Sequence, residues 1–125
     1  MRSSRTVLIE SAGSYVNGVW EPGTRSVSSM MATIQPIVMG QDMASLPEGR
    51  RISDFVKIYT GVNLKVTEDG DGIQPDMVVY DGYCYELVSR YANQNNIIPH
   101  YKFIAVRQMK FTNTSDWLSG ALERP

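Results

Sequence analysis

The chain has 125 residues, a net charge of -1 and a 42% share of hydrophobic residues. That fits one compact domain burying roughly two-thirds of its unfolded surface, and no apolar run approaches the roughly 20 residues of a membrane helix. A single Cys excludes an internal disulfide, and with a single His it excludes the usual zinc ligand sets; the near-neutral charge argues against a dedicated nucleic-acid binder.

Charged residues at 20%, with 10 Gly and 6 Pro, point away from a helical bundle and towards a turn-rich β protein. The expected fold is a small antiparallel β-barrel or sandwich with a short helix and long loops. One domain is expected over 1–125, with its core at about 5–108 and a C-terminal arm over 109–125. The first residues are basic, but only Val7, Leu8 and Ile9 precede the next charge. That run is too short for a secretory core, so an intracellular origin is expected.

Residues 5–10 predict a first strand, with Thr6, Leu8 and Glu10 alternating against Val7 and Ile9. Tyr15-Val16-Asn17-Gly18-Val19-Trp20 predicts a hairpin, two β-forming pairs around Asn-Gly. The hairpin is expected to be exposed and decorated, with Trp20 covering one edge of the core. Residues 25–38 are long and extended, and Pro36 marks an edge or the strand's end because it donates no ladder hydrogen bond. Residues 40–46 predict one or two helical turns, N-capped by Asp42, with Met39, Met43 and Leu46 at helical spacing.

Residues 54–60 predict another strand, and Leu64-Lys65-Val66 a short one. Glu68-Asp69-Gly70-Asp71-Gly72 is an acidic turn. The best-specified piece follows. Met77–Tyr80 and residues 83–89 flank Asp81-Gly82, a two-residue hairpin turn. Tyr83, Tyr85, Leu87 and Ser89 share one face, with Tyr85 and Leu87 placed towards a core. Cys84, Glu86, Val88 and Arg90 share the other, wetter face. Residues 92–99 form a polar loop and 100–109 a last strand. In the arm, residues 116–122 predict a short helix capped by Ser115 or Asp116, with Trp117 and Leu118 seeking a partner surface.

Candidate chemistry is sparse. The acidic turn offers oxygen ligands for calcium but lacks the EF-hand spacing and its distal Glu, so a solvated turn is the simpler reading. His100 has no acid or nucleophile beside it, and nothing near Cys84 in sequence stabilises a thiolate. Asn113-Thr114-Ser115 matches the glycosylation pattern, which means little without secretion. None of the common catalytic motifs occurs. No catalytic residue, metal or cofactor is expected, and the chain reads as a non-enzyme.

Four short blocks, in order, resemble the head-closure or head–tail joining proteins of long-tailed bacteriophages, also called neck, stopper or connector proteins. Tyr15-Val16-Asn17-Gly18-Val19-Trp20 resembles their Y-x-N-G-x-W start, and Ala32-Thr33-Ile34-Gln35-Pro36 their A-x-I-Q-P strand. Leu46-Pro47-Glu48-Gly49-Arg50 with Ile58-Tyr59-Thr60 resembles their L-P-E-G-x-R … I-Y-T block. Asp76-Met77-Val78 with Asp81-Gly82-Tyr83-Cys84-Tyr85-Glu86 resembles their D-x-V … G-x-x-Y-E-V hairpin. The blocks run from about Tyr15 to Arg107, and residues 109–125 match nothing in that pattern.

The resemblance implies a β-barrel or sandwich in a homo-oligomeric ring of about six or twelve copies. The ring lies below the portal or adaptor and above the tail terminator or tail tube. It seals the DNA channel after packaging and docks the tail. The protein is then a virion component made in the host cytoplasm, with no membrane partner. Arg50 and Arg51, with Glu48, are the expected contacts to packaged DNA or an axial neighbour, since arginine pairs with phosphate or carboxylate through two parallel hydrogen bonds. Pairing of these arginines with Asp54 or Glu48 is the local alternative. Arg2, Arg5, Trp117 and Leu118 are the expected intersubunit contacts. Two other readings stay open: a tail-terminator or adaptor subunit, and a cytoplasmic ligand-binding barrel lined by Trp20, Tyr85 and Tyr101.

Overall fold

The computed structural model describes residues 2–11, 13–37, 54–70, 74–93 and 100–124. Strands β1 (Ser3–Glu10), β2 (Ser14–Val16), β3 (Val19–Glu21), β4 (Arg25–Pro36), β5 (Phe55–Thr60), β6 (Met77–Tyr80), β7 (Tyr83–Asn93) and β8 (His100–Lys110) are followed by helix α1 (Thr114–Ser119). Six strands close an antiparallel barrel in the order β1-β4-β5-β8-β7-β6, while β2 and β3 pair with each other outside it. The expected β-barrel with one short helix is therefore what the chain forms. The predicted helix at 40–46 lies outside the described residues.

Alternation sets the interior. Val7, Ala32, Ile58, Val78, Tyr85, Leu87, Phe103 and Ala105 belong to one buried cluster, joined by Met30 and Val56. A barrel this narrow is filled by its own side chains. Leu64 and Val66 join the same cluster although no strand forms there, which corrects the expected strand at 64–66. The segment instead lies across one mouth of the barrel and ends in a 3-10 turn, Thr67–Asp69. Asp76 holds it: the Lys65 N–H donates to Asp76 Oδ2 at 2.9 Å, and the Asp76 N–H to the Lys65 carbonyl.

Two compensating irregularities interrupt the β7–β8 ladder, between Cys84 and Tyr85 and between Leu87 and Ser89. A bulge adds one residue to one strand and shifts every later side chain to the other face. Past the extra residue Val88, Arg90 rather than Ser89 falls opposite the interior Phe103. Arg90 is thus not on the wet face expected for it. It donates to the Leu64 carbonyl at 2.8 Å and pairs with Asp69 at 2.8 Å. That hydrogen bond holds the Asp69 carboxyl below its ordinary range, assisted by the Val66 N–H. Of the acidic turn, Glu68 accepts from the Ser89 hydroxyl and Asp69 pairs with Arg90, so both help to hold this segment; Asp71 and Gly72 lie outside the described residues.

The β1–β4 and β2–β3 pairings share one register. Glu10 opposes Arg25, and Ser14 opposes Glu21 after a short break. Ser11 and Thr24 bridge the break with backbone and hydroxyl hydrogen bonds at 2.9 Å. The two hairpins are one long ribbon whose outer end leaves the barrel. Both tight turns, Asn17-Gly18 and Asp81-Gly82, have positive φ at both central residues, the geometry whose twist suits a two-residue hairpin.

Placing a β-carbon in the left-handed region costs about 1–2 kcal/mol. Gly82→Ala is expected to lower the urea midpoint correspondingly, because its hairpin is part of the barrel. Gly18→Ala is expected to leave the midpoint nearly unchanged, because its hairpin unfolds without opening the core.

Candidate interaction surfaces

The C-terminal segment docks on the barrel instead of forming an arm. Asn113 caps α1, its Oδ1 accepting from the Asp116 N–H at 2.8 Å, and Gly120 ends the helix in the left-handed conformation. The helix is thus two residues earlier than expected, and its cap is neither Ser115 nor Asp116. A six-residue helix has little stability of its own; burial of Trp117 holds it. Trp117 is fully buried in a second cluster with Leu8, Met77 and Cys84, flanked by Val27, Met109 and Phe111. These side chains lie on the outer surface of the barrel. That surface contains the supposedly wetter face of the Asp81-Gly82 hairpin.

Polar contacts fix the indole. Its Nε1–H donates to the Ser26 carbonyl at 3.1 Å. The Arg25 guanidinium stands 4.2 Å from the ring centroid and that of Arg124 5.8 Å. Arg25 also donates to the carbonyls of Trp117 and Leu122 and pairs with Glu10. Arg124 pairs with the other oxygen of Glu10 at 3.0 Å, donates to the Pro75 carbonyl, and lies 3.9 Å from Glu86. These contacts bridge β1 to the start of β6 and to β7. They cross the closing seam of the barrel, where β1 and β6 pair at two positions, Val7 with Val78 and Leu8 with Met77.

The expected contact residues therefore separate. Trp117 is not an intersubunit residue: it is buried in its own subunit. Leu118, one position on, is 53% exposed and stays available. Arg2 is exposed near the start of β1. Arg5 does not belong to an arm; it lies within β1, with its guanidinium 5.2 Å from the Tyr80 ring centroid. Its Nε is buried without a hydrogen-bond partner among the described residues, so the ring face is its recorded contact. Arg50, Arg51 and Glu48 lie outside the described residues. Asp54 pairs with Arg107 at 2.9 Å.

The ligand-pocket residues also part company. Tyr85 and Tyr101 pack into or against the interior cluster, whereas Trp20 is 55% exposed on β3. Trp20 does not cover the core as expected. It meets Tyr15 edge-on at 5.1 Å, and its ring lies against Gly13, where a β-carbon would come within 2.4 Å of it. Tyr15, Val16, Val19 and Trp20 make up half of the large exposed hydrophobic residues among those described. Sequence reasoning found this hairpin and its exposure; what it misplaced is Trp20, which does not reach the core edge. A second surface was missed: Met31, Tyr59 and Tyr91 on the outer face of the barrel, around Lys102. Its signal, outward-facing apolar residues on strands far apart in the chain, appears only once the register is known.

Cys84 is fully buried beneath Trp117, and burial pushes its thiol up to about 11. Among the described residues no group of His, Cys, Asp and Glu is placed to hold a metal, and no helix is long and apolar enough to cross a membrane. No family model matches the chain, and no curated protein matches it.

Two outcomes follow from this packing. Trp117→Ala is expected to cost about 3–5 kcal/mol, with Cys84 becoming reactive to a thiol reagent under conditions where the parent chain is protected; an unchanged midpoint and an unreactive thiol contradict the docking. Asp76 behaves differently. The residue is 4% exposed, and burial raises its pKa above 3.8 despite the Lys65 N–H and the Lys65 and Arg124 charges. The folded chain therefore holds this proton more tightly than the unfolded chain, and stability falls as pH rises from 3.8 through the raised value. Asp76→Asn removes that component, so the variant gains on the parent across this window in urea titrations at stepped pH.

Proposed function

We propose that the chain is a structural protein of the tailed-phage neck. It forms a head-closure or head–tail connector ring that seals the portal channel and docks the tail. The observation that carries the proposal is the division of labour in the fold. The barrel is packed with its own side chains, while an apolar hairpin projects from it. Such a module is suited to contacting other proteins rather than to enclosing a small ligand. The four sequence blocks support the same reading: three of them supply the projecting hairpin, strand β4 and the β6–β7 hairpin. A neck ring needs a rigid subunit with distinct sticky surfaces, since neighbours in a cyclic ring meet through unlike patches.

A tailed phage encoding this chain supplies the test, in the form of particles assembled without the gene. Electron microscopy is expected to show portal-bearing heads that have lost DNA, beside free tails of normal length. Tails of abnormal length would assign the chain to tail termination. Normal virions would remove it from the neck.

A further inference from the structure

The barrel has a second mouth, opposite the one that the Leu64–Val66 segment crosses. It is framed by the start of β1, the end of β4, the start of β5, the β6–β7 turn and the end of β8. Arg5 alternates with the interior Val7 and opposes the interior Met30, so its side chain leaves β1 on the inner side of this rim. Its guanidinium lies over the Tyr80 ring, and Tyr80 meets Tyr85 at 6.0 Å between ring centroids. The Arg107 guanidinium stands 4.8 Å from the Tyr83 ring centroid. Burial pushes the Tyr85 hydroxyl above its ordinary range, Arg107 draws it back, and Asp81, Tyr80 and Tyr83 add to the rise. These groups therefore lie within electrostatic reach of one another.

Arg5 is the exception among the half-buried arginines described. Arg25, Arg90, Arg107 and Arg124 each pair with a carboxylate, whereas the recorded contact of Arg5 is the Tyr80 ring. Its Nε is covered, but its two Nη groups are neither buried nor hydrogen-bonded among the described residues, and the same holds for the hydroxyls of Tyr80, Tyr83 and Tyr85. On the strand ends that frame the mouth, Arg2, Arg5, Arg107 and Lys110 stand against Asp54 and Asp81, and Arg107 already holds Asp54. The mouth thus carries a fixed positive charge beside open hydrogen-bond donors. Where this chain holds a carboxylate, two guanidinium nitrogens of Arg90 meet the two oxygens of Asp69. A guanidinium with several hydroxyls beside it suits an anion with more oxygens to satisfy. We infer that this mouth binds a phosphate group, with Arg5 supplying the charge and the Tyr80 and Tyr85 hydroxyls donating to further oxygens. Free phosphate and the phosphodiester of a nucleic acid share that chemistry. The site stands apart from the neck reading, which neither requires it nor falls with it.

Sodium phosphate titrated into the isotope-labelled full chain at constant ionic strength tests it, with backbone amides and arginine side chains followed by NMR. Saturable shifts are expected at the Arg5 side chain and at the amides of Arg5 and Tyr80, with a dissociation constant on the order of 1 mM. Arg5→Gln is expected to weaken binding about tenfold, the share of a charge-assisted hydrogen bond, with the melting temperature nearly unchanged because no ion pair is lost. Tyr80→Phe keeps the ring under the guanidinium and removes only the hydroxyl; it is expected to weaken binding by less than Arg5→Gln does. Acetate at the same concentration is expected to leave the signals in place. A short DNA duplex distinguishes the sources: shifts at the same residues that fade as salt rises name a nucleic-acid backbone, and a duplex without effect names free phosphate. The connection from β4 to β5 leaves and re-enters at this mouth, and its residues 38–53, with Asp42 and Glu48, lie outside the described residues. Asp42→Asn with Glu48→Gln is expected to leave the affinity unchanged. No saturable shift, an equal response to acetate, undiminished binding in Arg5→Gln, or a gain of about tenfold in the Asp42→Asn, Glu48→Gln variant overturns the inference; the last would make the chain's own carboxylates the partners of Arg5.

Discussion

The structure depends on how its barrel is shut. Neighbouring strands elsewhere in the barrel share four to ten opposed pairs, but β1 and β6 share two. So short a ladder contributes little, and side chains on both sides of it complete the closure. Val7 and Val78 meet in the interior cluster, and Leu8 and Met77 meet in the outer one under Trp117. Glu10 anchors the polar layer above them, accepting from Arg25 and Arg124 at once, while its own carbonyl accepts from the Lys65 ammonium at 2.9 Å. Lys65 lies 3.8 Å from Asp76, so the seam and the segment across the mouth are tied together. Both the removal of a ring and the titration of a carboxylate therefore act on the same closure.

What was legible in the sequence was local. Asn17-Gly18 and Asp81-Gly82 announce their turns because few residue pairs tolerate two positive φ values in succession. Alternation located β1, β5 and β8 and assigned Tyr85 and Leu87 to the core. What escaped was non-local. The bulge at Val88 inverts the alternation after it, and no residue there signals the extra position; Arg90 was misplaced for that reason. Leu64 and Val66 have strand-like composition, but their partners are a barrel interior and a buried Asp76 rather than a neighbouring strand. Trp117 looked like a partner-seeking residue because its pocket is assembled from β1, β6 and β7, none of them nearby in sequence. Trp20 was expected to cover a core edge from an exposed hairpin; the hairpin is exposed, but it continues outward and carries Trp20 away from the core. The two tryptophans exchange the roles that composition gave them.

For the proposed neck role, this arrangement divides rigidity from adhesion. The interior is filled and the seam is held by charge, aromatic stacking and hydrogen bonds, so the barrel keeps its shape. The projecting hairpin has few contacts beyond its own pair of strands, and shape can be adjusted there without disturbing the core. Leu118, exposed beside the buried Trp117, adds an apolar side chain at the edge of the docked segment.

The seam also has a history in time. Glu10 and Arg124 are 114 positions apart in sequence. A ribosome adding roughly 5–20 residues per second leaves β1 without its closing partners for on the order of ten seconds. During that interval β1 pairs with β4 alone, and its other edge is open. Neighbouring nascent chains on one messenger carry the same open edge and, later, the same β6. Two such chains could in principle close each other's barrels by exchanging the segment from β6 through α1, a domain swap at low energetic cost.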